Sequence, residues 1–313
     1  MTGISIPSLD DVRGAQARIK GLAVETPLIR LQADGRADIY LKLENLQPVG
    51  SFKIRCAANA IIRRGTRGGV KTASAGNFAQ GLAFAGQALG IPVTTYVPET
   101  AAASKIEALR RLGADIVAVP YAQWWSFLTD PPKDPAFIHP AADPDVLAGN
   151  GTIGLEILNA LPNVKRVLTP WGGGGLSLGI AAALSGAGAD ARLVPCETDA
   201  GTPLGAALAA GAPVTVDFNS RTFITGMGGP SVLPMIWPIV RSLVSTTLTA
   251  SVAGTADAVR LLANRHHVIA EGAGAAPVAA ALAHEPEGPT VCVVSGGHLD
   301  TDHLVTILNG GVP

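Results

Sequence analysis

At 313 residues the chain exceeds what one hydrophobic core comfortably serves, so two packed units are expected. Hydrophobic residues make up 48% and charged residues 15%, which excludes a disordered chain; 23 basic against 24 acidic side chains, with no basic block, exclude a nucleic-acid partner. No apolar run reaches the ~20 residues of a membrane span, and the opening MTGISIPSLDDVRG lacks the pattern of a secretory signal, so a cytoplasmic location without membrane contact is expected.

Short β-branched runs alternate with Ala- and Leu-rich stretches, the order of βαβ units. The fold class expected is α/β, two lobes each with a mainly parallel twisted sheet flanked by helices. In chain order, a strand from Ile39 to Leu43 precedes a helix from Phe52 to Arg64. A helix from Phe78 to Leu89, a strand from Val93 to Val97, a helix from Ala102 to Leu112 and a strand from Asp115 to Val119 follow. From Asp130 to Asp145 the run DPPKDPAFIHPAADPD forbids continuous helix or strand and reads as a crossing between lobes. Beyond it come a strand from Arg166 to Thr169, a helix from Gly175 to Leu184 and a strand from Arg192 to Cys196. Helices from Ala256 to Arg265 and Ala273 to Leu282 and a strand from Thr290 to Ser295 complete the pattern. A small mobile lobe of residues 67–143 is thus expected inside a larger one made of residues 1–66 and 144–313. Cys56, Cys196 and Cys292 are odd in number and widely spaced in apolar settings, so they read as buried thiols.

Four segments carry candidate chemistry. In LENLQPVGSFK, Leu43 to Lys53, a strand, a turn and a helix start put Lys53 in the first helical turn. A cation there opposes the helix dipole, and Phe52 with the apolar run Ile54, Ala57, Ala58 and Ile61 removes water. Both effects lower an amine pKa and favour the neutral form that attacks an aldehyde. For a lone lysine, a surface position with the stem along the helix is the simpler reading.

In TPWGGGGL, Thr169 to Leu176, four glycines join an apolar strand to a helix, and their backbone N–H groups can converge on an anion. A dinucleotide site is the rival, since Glu197 follows at about the distance of a ribose-binding acid. The G-x-G-x-x-G pattern fails, however: counted from Gly172 its third glycine is Ser177, and from Gly173 it is Leu178. No Lys-Ser or Lys-Thr follows the glycines either, so a phosphate monoester fits better than a nucleotide. A nucleotide-dependent oxidoreductase is weakened with it and stays a distant alternative.

The third segment, Ser74, Ala75, Gly76 and Asn77, opens a helix whose N–H groups suit a second anion such as an amino-acid carboxylate; Asn77 serves equally as an N-cap. The fourth, Val291 to His298, ends a buried strand at Ser295, where open parallel sheets gather ligands. No G-x-S-x-G elbow occurs, and His266 and His267 lack metal-ligand spacing.

Taken together, LENLQPVGSFKIR, SAGNFAQGLAFA, AGNGTIGLEIL and PWGGGGLSLGIA resemble the threonine/serine dehydratase group of fold-type II pyridoxal phosphate (PLP) enzymes, relatives of serine racemases. The likeness runs from about Thr26 to Asp300. It implies pyridoxal 5'-phosphate held as a Schiff base on Lys53. It implies also that Phe52 lies near the cofactor ring, Asn77 on its 3-hydroxyl, Gly172, Gly173, Gly174, Gly175 and Leu176 on its phosphate and Ser295 on its pyridine nitrogen. The stretch from Ser74 to Asn77 would take the substrate carboxylate. Glu271 matches an acidic position near the cofactor.

The activity implied is β-elimination from a small L-β-hydroxy amino acid, threonine or serine first, giving a 2-keto acid and ammonia, with Lys53 as the base. Serine at position 295 makes the ring a weaker electron sink than a carboxylate would, which favours prompt elimination. Racemases of the group carry a second acid, a serine, where this chain has Ala75. Phe78, Trp171 and His298 depart from the group's usual residues, so a 3-hydroxyaspartate, a bulkier β-hydroxy amino acid or a diamino acid remains an alternative substrate, and a non-catalytic binder a distant one. Glu197 matches the first ligand of a divalent-cation site in some relatives, but Pro203 replaces a later acid, so no metal site is expected. A homodimer is implied by analogy.

Overall fold

The computed structural model describes every residue except 1–3, 34, 37, 65–67 and 286. The chain runs α1 (Leu9–Arg18), β1 (Leu28–Arg30), β2 (Ile39–Lys42), α2 (Lys53–Arg64), β3 (Val70–Ala73), α3 (Asn77–Leu89), β4 (Val93–Pro98), α4 (Ala103–Arg111), β5 (Asp115–Val119), α5 (Tyr121–Thr129) and α6 (Pro144–Ala160). It continues with β6 (Arg166–Pro170), α7 (Gly175–Gly186), β7 (Arg192–Thr198), α8 (Pro203–Ala210), α9 (Trp237–Leu243), β8 (Leu248–Ala250), α10 (Val252–His266), α11 (Gly272–Ala283), β9 (Thr290–Val293) and α12 (Thr301–Leu308).

Two sheets result. The larger has the order β1-β2-β9-β6-β7-β8, parallel except for the antiparallel β1–β2 edge; the smaller, β3-β4-β5, is parallel throughout. The α/β expectation holds. β6 and β9 are buried along their whole length, as strands covered by helices on both faces must be. Four of the strand ends that matter, β2, β9 and β6 of the large sheet and β3 of the small one, deliver their following loops at carboxyl ends, where a parallel sheet opens a crevice.

The predicted strands and helices are all present within a few residues, and the differences have local causes. α10 begins at Val252 rather than Ala256 because Ser251 caps it, its Oγ accepting from Gly254 N at 2.9 Å. β9 ends at Val293 rather than Ser295 because the chain there turns away to bond the loop before α2: Asn45 N donates to Val294 O and Phe52 N to Ser295 O, each at 3.0 Å.

The pattern of α6 does not announce a helix because its glycines and two asparagines are poor helix formers, yet the glycines let helices meet closely. A Cβ placed on Gly149 would lie 2.6 Å from Cys56 Cα, and one on Gly179 of α7 2.4 Å from Leu147 O. The start of α6 is capped by Asp143, whose side chain accepts from Asp145 and Val146 N–H, with Pro144 at the first helical position. The irregular run expected from Asp130 to Asp145 ends at residue 143, where Pro144 opens α6, and residues 136–138 are tied to β3 through Lys71. Of the two expected lobe boundaries, the one between residues 66 and 67 lies outside the described residues. Cys56, Cys196 and Cys292 are free and buried. Among the described residues no helix is long and apolar enough to cross a membrane.

Candidate active site

Lys53 is the first residue of α2, where no acidic side chain shares its turn. The loop before it reverses at Gly50, whose φ of 69° suits glycine, and is stapled to the loop after β9 by Gly297 N donating to Gly50 O at 2.9 Å. The Lys53 amine faces an apolar corner, with Nζ 4.9 Å from the centre of the Phe52 ring and 5.5 Å from that of Phe78. Its polar contact is the Pro140 carbonyl, to which it donates at 3.3 Å. Burial lowers its pKa below that of an ordinary lysine, with Cys56 and Glu271 pulling the other way. The departure at Phe78 therefore has a physical effect, since an aromatic face there keeps water off the amine.

After β6 the four glycines turn the chain into α7. Gly174 has a φ of 82°, and the Trp171 ring lies beneath it, 2.9 Å from where its Cβ would be. A Cβ on Gly172 would meet Gly226 O at 2.9 Å, one on Gly173 the Ala141 Cβ at 2.8 Å, and one on Gly175 the Ala141 Cα at 3.1 Å. Among the described residues the N–H groups from Gly172 to Leu176 find no acceptor. Donors at a helix N-terminus without partners, in a turn too tight for side chains, are what an anion requires.

Lys53, Phe52, Ser74, Gly76, Asn77, Gly172 to Leu176 and Ser295 all line one cavity of about 200 Å³, together with Phe78, Pro140, Ala141, Gly226, Glu271 and Ala273. Of the residues singled out from sequence, Ala75 does not line it; its side chain packs against the cluster of Ala79, Val97 and Leu109. Ser74 Oγ accepts from Gly76 N at 3.2 Å, which leaves fewer free donors in this stretch than the sequence suggests. Ser295 is buried against the cavity, in a loop approached so closely by α11 that a Cβ on Gly274 would lie 2.7 Å from Gly296 O.

Asn77 links the two sides of the crevice. Its Nδ2 donates to Glu271 at 3.0 and 3.3 Å, and its Oδ1 accepts from His298 Nδ1 at 2.7 Å. Burial pushes the Glu271 carboxyl up to about 7 despite the Asn77 bond, so it is partly protonated near neutrality. Gly76, Asn77, Gly226 and Glu271 also line an outer cavity of about 340 Å³ with Lys105, Arg111 and His298.

Glu197 caps a helix. Its two oxygens accept from Leu204 N at 2.7 Å and Gly205 N at 2.8 Å, capping α8, which Pro203 opens. Among the described residues no group of three or more His, Cys, Asp and Glu side chains is set to hold a metal ion. His139, Pro140, Ala141 and Gly226 escaped sequence reading, because each sits in an irregular segment whose contacts with the site are all long-range.

The residues present suit pyridoxal phosphate: a partly dehydrated amine and a glycine turn with spare N–H donors share one cavity, with a hydroxyl and an amide between them. A family model described as pyridoxal-phosphate dependent enzyme matches residues 19–296. The L-threonine ammonia-lyase of Geobacter sulfurreducens is 38% identical over 290 residues, covering 88% of this chain and 70% of that protein. The crystal structure of the T.th. threonine deaminase superposes with a TM-score of 0.84 at 34% identity, covering 94% of this chain and 99% of that one. Maize serine racemase gives 0.84 at 27%, with 96% of each chain covered. A glycine turn and an amine of this kind, on a match across most of the chain, are one finding: the protein belongs to the pyridoxal-phosphate dependent enzymes.

Proposed function

We propose that this enzyme is an ammonia-lyase that converts a small L-β-hydroxy amino acid, L-threonine or L-serine first, to a 2-keto acid and ammonia. The observation that carries it is the meeting of the Lys53 amine and the unpaired glycine N–H groups in one cavity, in a chain similar to an L-threonine ammonia-lyase and a threonine deaminase. Bound pyridoxal phosphate supplies an aldehyde for the amine and a ring that accepts electrons from the substrate's Cα.

The chain's own residues do the rest. Gly172, Gly173, Gly174, Gly175 and Leu176 hold the phosphate, Phe52 packs by the ring, Asn77 donates to its 3-hydroxyl edge, and Ser295 meets its nitrogen with a hydroxyl that carries no charge. Ser74, Gly76 and Asn77, which line the cavity, receive the substrate carboxylate, and Ala75 keeps only its place in the stretch that carries them. Lys53, whose pKa burial lowers, would take the Cα proton. At position 75 an alanine facing away from the cavity offers no second acid, which supports elimination over racemisation.

A second reading, an acidic β-substituted amino acid such as a 3-hydroxyaspartate, has its own support in Lys105 and Arg111, which line the outer cavity. Residues 67–143, which contain the whole small sheet, form the mobile lobe in this proposal, and the active molecule is a homodimer in the cytoplasm. Purified protein should absorb as a lysine-bound PLP, with borohydride fixing the label on Lys53. It should also release keto acid from threonine or serine faster than from 3-hydroxyaspartate or diamino acids. A label on another lysine, or no keto acid from any of the panel, would end the proposal.

A further inference from the structure

We propose that His139 is a positioning residue for Lys53: its imidazole folds the Pro140–Ala142 turn that sets a carbonyl on the amine and a wall on the glycine loop. The inference rests on the reading of Lys53 as the amine that takes the cofactor.

His139 is almost fully buried, at 4% exposure, and both ring nitrogens are engaged. Nδ1 accepts from Ala142 N at 2.7 Å and Ala141 N at 3.1 Å, which leaves the ring proton on Nε2, and Nε2 donates to Leu128 O at 3.1 Å near the end of α5. One side chain therefore closes a turn of four residues and ties it to a neighbouring helix. That turn contributes two contacts to the site. Pro140 O accepts from Lys53 Nζ at 3.3 Å, and Ala141 stands where Cβ atoms on Gly173 and Gly175 would be.

Upstream the strand-like residues 136–138 are held by β3, with Ile138 N donating to Lys71 O at 2.8 Å, and downstream Asp143 caps α6. Both flanks of the turn are fixed, and the imidazole decides the path between them. A polyproline-like crossing through Pro140 alone has no donor with which to close the turn, since proline lacks an N–H. Burial and the nearby Lys53 keep the ring neutral, with the pKa pushed down to about 4 against the pull of the Leu128 carbonyl. The acceptor is therefore in place throughout the pH range in which the enzyme would work.

The test reads Lys53 itself. In full-length protein stripped of cofactor with hydroxylamine, the pH midpoint for trinitrobenzenesulfonate labelling of Lys53, located by peptide mapping, is compared among variants. A carbonyl stabilises the ammonium more than the amine, so His139→Leu should lower the midpoint by about one unit. His139→Asn, whose side-chain oxygen can accept the same two N–H groups as an Asx turn, should stay near the parent value. In holoenzyme His139→Leu should lower kcat at least about tenfold with KM changed far less, and His139→Asn should recover most of it.

An unchanged midpoint in folded His139→Leu, or His139→Asn shifted equally far, would overturn the proposal. If His139→Leu does not fold, nitrogen-15 NMR of the unsubstituted protein decides. The ring should carry its proton on Nε2 and not titrate between about pH 5.5 and 8; titration there overturns the caged imidazole. Loss of the borohydride label from Lys53 in the parent enzyme would instead defeat the cofactor reading, and it leaves the labelling comparison intact.

Discussion

The Lys53 side chain has no ion-pair partner among the described residues, and its polar contact is a carbonyl. An amine so placed is cheap to deprotonate and well aimed, which is the combination a base that also binds an aldehyde needs. Lys53→Ala should lower keto-acid release by at least about a thousandfold while circular dichroism and the melting curve stay near the parent's; near-native turnover would remove Lys53 from the chemistry.

Glu271 gives a second expectation with a defined sign. Its folded pKa, about 7, lies above the 4.5 of a free carboxyl, so the folded state holds a proton that the unfolded chain has lost, and stability falls as pH rises from about 4.5 to about 7. In Glu271→Gln that contribution is absent. The melting temperature of the variant minus that of the parent, measured without cofactor, should climb through this window and level off above it. A flat difference would mean that the carboxyl is ionised throughout. His139 acts in the opposite direction. A ring depressed from 6.5 to about 4 contributes stability that is present above pH 6.5 and lost as pH falls toward 4.

At the scale of elements, the site is made by strand ends feeding helix starts. α7 offers its N-terminal N–H groups because the residues before it have no side chains to obstruct them, and α2 carries the amine of Lys53 in its first turn. Gly172 is the position to probe, since its φ is not in the left-handed region and a Cβ would meet a backbone oxygen, Gly226 O at 2.9 Å, rather than a movable side chain. Gly172→Ala should destabilise the fold by about 1–3 kcal/mol through overpacking and weaken cofactor uptake at least about tenfold, read by equilibrium titration of cofactor-free protein. Unaltered uptake would show that the turn has room to spare and does not cradle the phosphate.

Across the whole molecule, a buried network connects the large sheet to the two helices that carry and back the site. Arg55, two residues after Lys53 on α2, pairs with Glu44 through Nε at 2.7 Å and with Glu156 of α6 through Nη1 at 2.6 Å; Lys42 of β2 reaches Glu156 at 2.6 Å. Two cations balance two anions, and Thr26 Oγ1 donates to Glu44 at 2.5 Å. Burial alone would push the Glu44 carboxyl up, but Arg55, Thr26 and Lys42 together outweigh it and hold the pKa below the ordinary value. Such a network locates elements more than it stabilises them, whereas removing one partner strands a buried charge. Arg55→Leu should therefore cost about 3–5 kcal/mol by denaturant unfolding. A loss below about 1 kcal/mol would mean that water already reaches the cluster.

What the sequence by itself determined was written in contiguous residues. The strand, turn and helix order around Lys53, the four glycines before α7, the hydroxyl at Ser295 and the α/β alternation are local signals, and the structure brings those residues into one cavity. α6 was missed because helix propensity counts glycine as a cost, while the fold uses Gly149 and Gly154 to let helices touch. The outward turn of Ala75, the capping role of Glu197, the Asn77 bridge to Glu271 and His298, and the hold of His139 on Pro140 were decided only by tertiary structure. Each joins residues separated by irregular chain or by many elements, and no short-range periodicity encodes which distant backbone a buried polar group will find to satisfy it.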